Sequence, residues 1–514
     1  MTLSRPLLGS GPVPPLACLA SGALAAFLAA CAAGPGFRTP VAPAVVDSTR
    51  PYSSAPLPAR TDSAPVPGGA AQRFVTGQEV PADWWTLFRS ETLDQLIRSA
   101  ITRSPTLESA KAVLREAQAA YAADRGGNLL PGVDVAGDAA RQRVSEAPFG
   151  ISGGSVFTLY DASVQVSYTP DVFGGIRRGL ESLAAATDYQ RFQVEAAYLS
   201  LSANLVTTAI QEASLRAQIQ VTRDLVDADS QSLNITEQQA RLGAVAQSTV
   251  LVVETELAQA KATLPGLEGA LAQTRQLLAV FAGRLPSDTG LPEFDLESLQ
   301  LPQDLPVSVP SSLVRQRPDI RASEAVLHQA SAGVGVATAN LYPQITLSGS
   351  GGWESLTLNA LFSAPNEVWS LGGGLLAPIF HGGALRAKRR EAIAAFDAAN
   401  AQYEATVLNA FLNVANTLRA LDADAQTLEA QAAAESLAHE SVDLVAQQYR
   451  LGAVSYLSLL DAQRSYQQTR IALIAARAAR YADTAALFTA LGGGWWNRGA
   501  AETADSPGLA PPGQ

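Results

Sequence analysis

At 514 residues the chain is long enough for several ordinary domains or for one very elongated one, so size does not limit core formation. Charged residues are 16%, aromatics 6% and apolar residues 47% with alanine dominant, which suits long helices packed through small side chains better than a compact enzyme. The 36 basic residues against 47 acidic give a net charge of −11, and Lys111, Lys261 and Lys388 are the only lysines; no segment gathers five or six basic residues, so nucleic acid is excluded as a partner.

The chain opens with Arg5 ahead of an uncharged stretch, Leu16 to Ala30, the charged n-region and short apolar h-region of an export signal. It is too short and too alanine-rich for a membrane span. It ends in Leu28-Ala29-Ala30-Cys31, similar to a bacterial lipobox, so Cys31 is the expected lipidation site. Cys18, preceded by Pro15-Leu16-Ala17, fits less well. A chain processed at Cys31 has no second cysteine for an internal disulfide. About fifty residues rich in Pro, Ala and Ser follow, without helical or alternating period, and read as an extended tether. A Gly/Pro tail from Gly492 closes the chain, and both ends are expected to be poorly ordered.

The body repeats. Pro105 to Leu114 lines up with Pro318 to Leu327 at an offset of 213, and Leu129-Leu130-Pro131 with Leu341-Tyr342-Pro343 at 212. Gly174-Gly175 matches Gly382-Gly383 at 208, and Arg241-Leu242-Gly243-Ala244-Val245 returns as Arg450-Leu451-Gly452-Ala453-Val454 at 209. Landmarks in one order at nearly constant offset identify a tandem duplication of a unit of about 200 residues.

In each unit a helix is followed by strands. Val133/Val135 and Val164/Val166/Tyr168 alternate with polar or small residues, as do Ile345/Leu347, with a partner run from Val368 to Phe380. Such hairpins suit either an exposed edge of a soluble domain or a lipid-facing barrel wall, and composition favours neither. Between Gly175 and Gly243, and again between Gly383 and Gly452, no proline occurs, so each span predicts one helix of about 100 Å. Gly243 and Gly452 supply the turn, and helices return over Ser248–Ala282 and Leu457–Leu491, the first expected to kink at Pro265-Gly266.

No chemistry-bearing constellation emerges. Gly333-Val334-Gly335 lacks the third glycine of a dinucleotide loop, and His439-Glu440 lacks a second histidine. No catalytic residue, metal site or cofactor is expected.

The motifs resemble those of the outer-membrane factor family of tripartite efflux pumps, TolC-like and more closely OprM/NodT-type lipoproteins. The resemblance spans nearly the whole chain after Cys31. It rests on Gly34-Pro35-Gly36-Phe37, Pro81-Ala82-Asp83-Trp84-Trp85, Arg317-Pro318-Asp319-Ile320-Arg321, Leu341-Tyr342-Pro343 and Leu459-Leu460-Asp461-Ala462-Gln463-Arg464. Ser104-Pro105-Thr106-Leu107 departs from the family's usual Asn-Pro-Asp-Leu type run.

The resemblance implies a mainly α fold with a transmembrane β-barrel part: a homotrimer whose four strands per chain complete a twelve-stranded barrel on a long periplasmic α-helical barrel. Expected along the chain are a signal peptide over 1–30, a lipid-anchored extended segment over 31–82, and repeat 1 over 83–310. Repeat 1 holds a strand hairpin near 129–170, a tip near 241–245 and an equatorial linker over 284–310. Repeat 2 covers 311–491, with a strand hairpin near 341–380 and a tip near 450–454, and 492–514 is a flexible tail. The implied function is the exit duct of an efflux pump in the outer membrane, lipid-anchored and extending into the periplasm. It would be fed by a periplasmic adaptor and an inner-membrane transporter of the RND type or similar. Protein (type I) secretion, metal efflux and a non-channel periplasmic coiled-coil lipoprotein are the alternatives. Arg241, Leu242, Gly243, Ala244 and Arg450, Leu451, Gly452, Ala453 would be adaptor-docking tips.

Tyr456, Leu457, Asp461 and Arg464 would form the periplasmic gate. At offset 209 repeat 1 places Val252 and Thr255 where repeat 2 has Asp461 and Arg464, so the duplication has diverged there. Asp461 and Arg464 share a helix face, and copies meeting around an axis need charge pairing to stay closed. Loss of Arg5 with the signal leaves 35 − 47 = −12, so the lumen is expected to prefer cations.

Overall fold

The computed structural model describes residues 33–40, 52, 57–145, 154–307 and 310–498. Cys31 and the signal lie outside the described residues. The helices are α1 (Glu91–Arg103), α2 (Pro105–Leu129), α3 (Gly175–Arg241), α4 (Gln247–Phe281), α5 (Pro310–Gln316), α6 (Pro318–Ala339), α7 (Ala384–Arg450) and α8 (Tyr456–Ala490). The strands are β1 (Arg73–Thr76), β2 (Gly132–Ser145), β3 (Gly154–Tyr168), β4 (Asp304–Val307), β5 (Gln344–Ser355) and β6 (Glu367–Leu376). The chain divides into two compact units, and α3 and α7 each contribute to both.

The first unit contains the described parts of residues 1–39, 116–188 and 324–401. Its centre is a four-stranded antiparallel sheet in the order β2-β3-β5-β6. Register sorts the two faces. Val133 pairs with Val166 and Val135 with Val164, while Tyr168 pairs with Leu347 and Ile345 with Leu375, so these side chains share one apolar face with Trp353, Trp369 and Leu371, exposed except at the half-buried Tyr168 and Ile345. The other face carries Asp134, Gln165, Ser167, Thr346, Ser348 and Ser370. Both faces are exposed in the single chain, and a sheet apolar on one face and polar on the other is the pattern of a wall with lipid on one side. No described helix is long and apolar enough to cross a membrane. The segment just after Cys31 is held here: the Ala33 amide donates to the Phe173 carbonyl at 2.9 Å, and Phe37 stacks on His328 with centroids 4.1 Å apart.

The second unit contains the described parts of residues 40–115, 189–323 and 402–514. Within it α7 buries Tyr403, Val407, Ala410, Val414, Leu418, Leu421, Ala425, Leu428 and Ala432. Steps of three and four residues make this a coiled-coil seam, and the alanines in it permit close helix approach. Both long helices have 67 residues, as the glycine spacing predicts. The helix α4 is continuous through Pro265. Trp84, Trp85, Phe88, Leu93 and Ile97 pack with Leu205, Leu487 and Phe488 in the main core, and the Trp85 indole donates to Asp94 at 2.9 Å. The Arg317-Pro318-Asp319 motif is a clamp, in which Arg317 bonds Asp319 at 2.7 Å and donates to the Ala490 carbonyl at 2.7 Å.

Two expectations of disorder are corrected. Much of the segment expected to be an unstructured tether is packed: β1 pairs in parallel with β4, Gln72 and Val80 are fully buried, and Gln72 donates to the Pro302 carbonyl at 2.9 Å. Arg480 of α8, also fully buried, donates to the Thr61 hydroxyl at 3.0 Å and the Ala70 carbonyl at 2.8 Å. Proline-rich chain has few backbone donors of its own, so a buried guanidinium with five donors supplies them. At the other end the Trp495 indole donates to the Gln316 carbonyl at 2.6 Å, so 492–498 is seated while 499–514 lies outside the described residues.

Candidate functional site

Both hairpin tips are built alike. Gly243 (φ 74°) and Gly452 (φ 73°) take the left-handed conformation that L side chains rarely adopt. Gly243 donates to the Ala240 carbonyl and Ala244 to that of Gln239; Gly452 and Ala453 do the same to Tyr449 and Gln448. This pattern of 5→2 and 6→1 bonds is a Schellman cap, which satisfies the carbonyls at the ends of α3 and α7. It also turns Leu242 and Leu451 outward, 85% and 84% exposed. Arg241 and Arg450 precede them as the last helical residues. Each tip therefore presents an apolar side chain beside a guanidinium, a small surface suited to a protein partner.

One turn beyond the second tip, Tyr456 starts α8. Its ring lies 5.4 Å from that of Tyr449, and its hydroxyl lies near Ser232 and Thr236 of α3 without a well-aligned hydrogen bond. Burial pushes this phenol above its ordinary pKa. Leu457 is exposed. Asp461 and Arg464 approach to 3.6 Å, but the shorter contact of Arg464 is with Glu256 of α4. Asp229 of α3 completes the cluster with only 4% exposure, and its carboxyl is pushed up to about 6 by burial and by Glu256, against the pull of Arg464. Asp229, Glu256 and Arg464, with Gln259, Gln463 and Gln467, line a cavity of about 520 Å³ among α3, α4 and α8.

The structure thus brings Asp461 and Arg464 together and ties Arg464 to the other hairpin; Tyr456 and Leu457 sit one turn away, on the tip side. Glu256 and Asp229 were missed by sequence reasoning. At offset 209 Thr255 aligns with Arg464, and Glu256, the next residue, aligns with Ser465. The carboxylate that answers Arg464 is displaced by one position, and only helix packing reveals it.

On the polar face of the sheet Asp138 lies directly opposite Asp161, and Asp161 opposite Glu354. Like charges in direct cross-strand register destabilise a sheet, so three carboxylates in one row across three strands are maintained against a cost. Among the described residues no group of His, Cys, Asp and Glu is placed to hold a metal ion.

The family model for outer membrane efflux proteins matches residues 96–284 and 309–493. The chain is 31% identical over 464 residues to the pyoverdine export outer membrane protein OpmQ of Pseudomonas putida, covering 88% of this chain and 96% of that one. It is 29% identical to outer membrane protein OprJ of Pseudomonas aeruginosa, covering 92% and 95%. Among solved structures, the outer-membrane channel OprN superposes with a TM-score of 0.80 at 28% identity, over 90% of this chain and all of the other. The open-state MtrE channel of Neisseria gonorrhoeae gives 0.77 at 26%, over 90% and 99%. The chain belongs to the outer membrane efflux protein family, whose members are channels and not enzymes, and it is the outer-membrane exit duct of an efflux pump.

Proposed function

We propose that three copies of the chain close one barrel in the outer membrane and one helical tunnel in the periplasm, through which small organic molecules leave the cell. The observation that carries this reading is the sheet. One face is apolar and exposed, yet β2 and β6 are open edges and four strands are too few to close a membrane barrel, whose smallest form has about eight. Three sheets edge to edge satisfy every strand. The paired tips at Leu242 and Leu451 would receive a periplasmic adaptor, which couples the duct to an inner-membrane transporter. The cluster of Tyr456, Leu457, Asp461 and Arg464, with Glu256 and Asp229, would be the periplasmic gate. Lipidation at Cys31 would anchor the chain in the outer membrane, and the Ala33–Phe173 bond would hold the anchored end against the first unit. Relatives are named for pyoverdine export and for toluene efflux, which supports small organic cargo over polypeptide.

Native mass spectrometry of the detergent-extracted protein tests the assembly: a mass of three chains is expected, and a monomer contradicts it. Palmitate labelling lost in Cys31→Ala tests the anchor, and labelling that persists contradicts it.

A further inference from the structure

We propose that the seam at which β6 of one copy meets β2 of the next in the trimer reading carries an ion pair between Glu367 and Arg143 on its lipid-facing side. The inference rests on the trimer reading and adds which residues meet.

The chain contains its own template for the seam. Within one copy the two strand hairpins join through β3 and β5, the second strand of the first hairpin against the first strand of the second. The duplication makes β5 the counterpart of β2, at the offset of 212 set by Pro131 and Pro343, and β6 the counterpart of β3, at the offset of 208 set by the glycine pairs. A contact between β6 and the β2 of the next copy therefore repeats one the chain already makes. Both strands are edges in the single chain, and unpaired backbone groups on an edge within hydrocarbon are costly enough to require a partner.

Register follows from the same template. Tyr160 pairs with Ser355 across the internal seam. The offset of 212 carries Ser355 to Arg143, and the offset of 208 carries Tyr160 to position 368. The apolar outer face of β6 holds the odd-numbered residues Glu367, Trp369, Leu371 and Leu375, so Arg143 comes opposite either Glu367 or Trp369. The remaining one of the two is then its diagonal neighbour, still within reach of a long side chain. In both registers Glu367 and Arg143 adjoin, with Trp369 beside Arg141 or Arg143.

The charges agree with this placement. At this end of the sheet the internal seam is uncharged on its outer face, with Tyr160, Trp353 and Ser355, whereas the edges carry Arg141 and Arg143 on β2 and Glu367 on β6. Opposite signs occupy the two edges left for another copy. Among the described residues the side chains of these three make no hydrogen bond or ion pair, and all three residues are exposed. An arginine and a carboxylate next to lipid are stabilised by pairing with each other.

The test uses the full-length protein extracted from membranes. Arg143→Cys combined with Glu367→Cys should give a covalently linked trimer on non-reducing gels, and Asp134→Cys with Glu367→Cys, at the opposite strand end, should not. Arg143→Glu or Glu367→Arg alone should cost the SDS-resistant trimer band, and the double swap should restore it. If the wild type is trimeric by native mass but the 143–367 cross-link is absent and charge reversal has no effect, the seam is wrong and the arginines face lipid instead. If the wild type is monomeric, the trimer reading falls and the seam with it.

Discussion

Arg464 of α8 is bonded to Glu256 of α4, so the last helix of the second hairpin is tied to the return helix of the first. The exposed i, i+3 partner Asp461 contributes little by itself, since such pairs are worth a few tenths of a kcal/mol. If this tie closes the tunnel, Glu256→Gln should sensitise cells to vancomycin about as much as Arg464→Ala. A charge swap at 256 and 464 should restore resistance. Sensitivity unchanged in both single variants would remove Arg464–Glu256 from the gate.

Asp229 adds a dependence on pH. Its carboxyl is pushed up to about 6, above the ordinary aspartate range, chiefly because it is buried. A raised carboxyl pKa means that the folded state binds the proton more tightly, so stability falls as pH rises from about 4 through 6. Ionised Asp229 is thus a burden at neutral pH. Asp229→Asn should raise the thermal midpoint at pH 7.5, and the gain should shrink toward zero at pH 4. Thermal scans at the two pH values check this; an equal gain at both would mean that the substitution acts through packing.

The tips make a separate demand. Leu242→Asp and Leu451→Asp leave the Schellman caps intact but replace the exposed apolar contact with a charge. Efflux measured by dye accumulation should fall sharply while the amount of protein in the outer membrane stays constant. Normal efflux in the double variant would show that docking lies elsewhere.

The strand hairpins, the 67-residue helices and both glycine turns are legible in the sequence because each has a strong local signature: a period, a gap without proline, or a residue needing positive φ. The packed stretch over 57–82 is not. Its composition reads as linker, and its order comes from contacts far along the sequence, such as Gln72 to Pro302 and Arg480 to Thr61. For the same reason the Asp461–Arg464 pairing can be read from the sequence and the Glu256 contact cannot: i, i+3 spacing is visible in one segment, whereas a partner 208 residues away is not.

Arg480 should be a structural keystone of the second unit. It is fully buried and donates to Thr61, Ala70 and Gln72. Arg480→Met keeps most of the volume but strands those acceptors, at a cost of about 3 kcal/mol. Limited proteolysis should then cut between 57 and 82, where the wild type resists. Resistance equal to wild type would contradict the role.

Single-channel recording in a planar bilayer tests most directly the central claim of a gated, cation-preferring exit duct. Wild-type protein should give a small conductance. Arg464→Ala combined with Asp461→Ala should raise it several-fold, and the reversal potential in a salt gradient should show cation preference, consistent with the row of Asp138, Asp161 and Glu354 on the polar face of the sheet. Replacing those three by their amides should weaken the preference without closing the pore. Absence of any conductance, or anion preference in the wild type, would contradict the account.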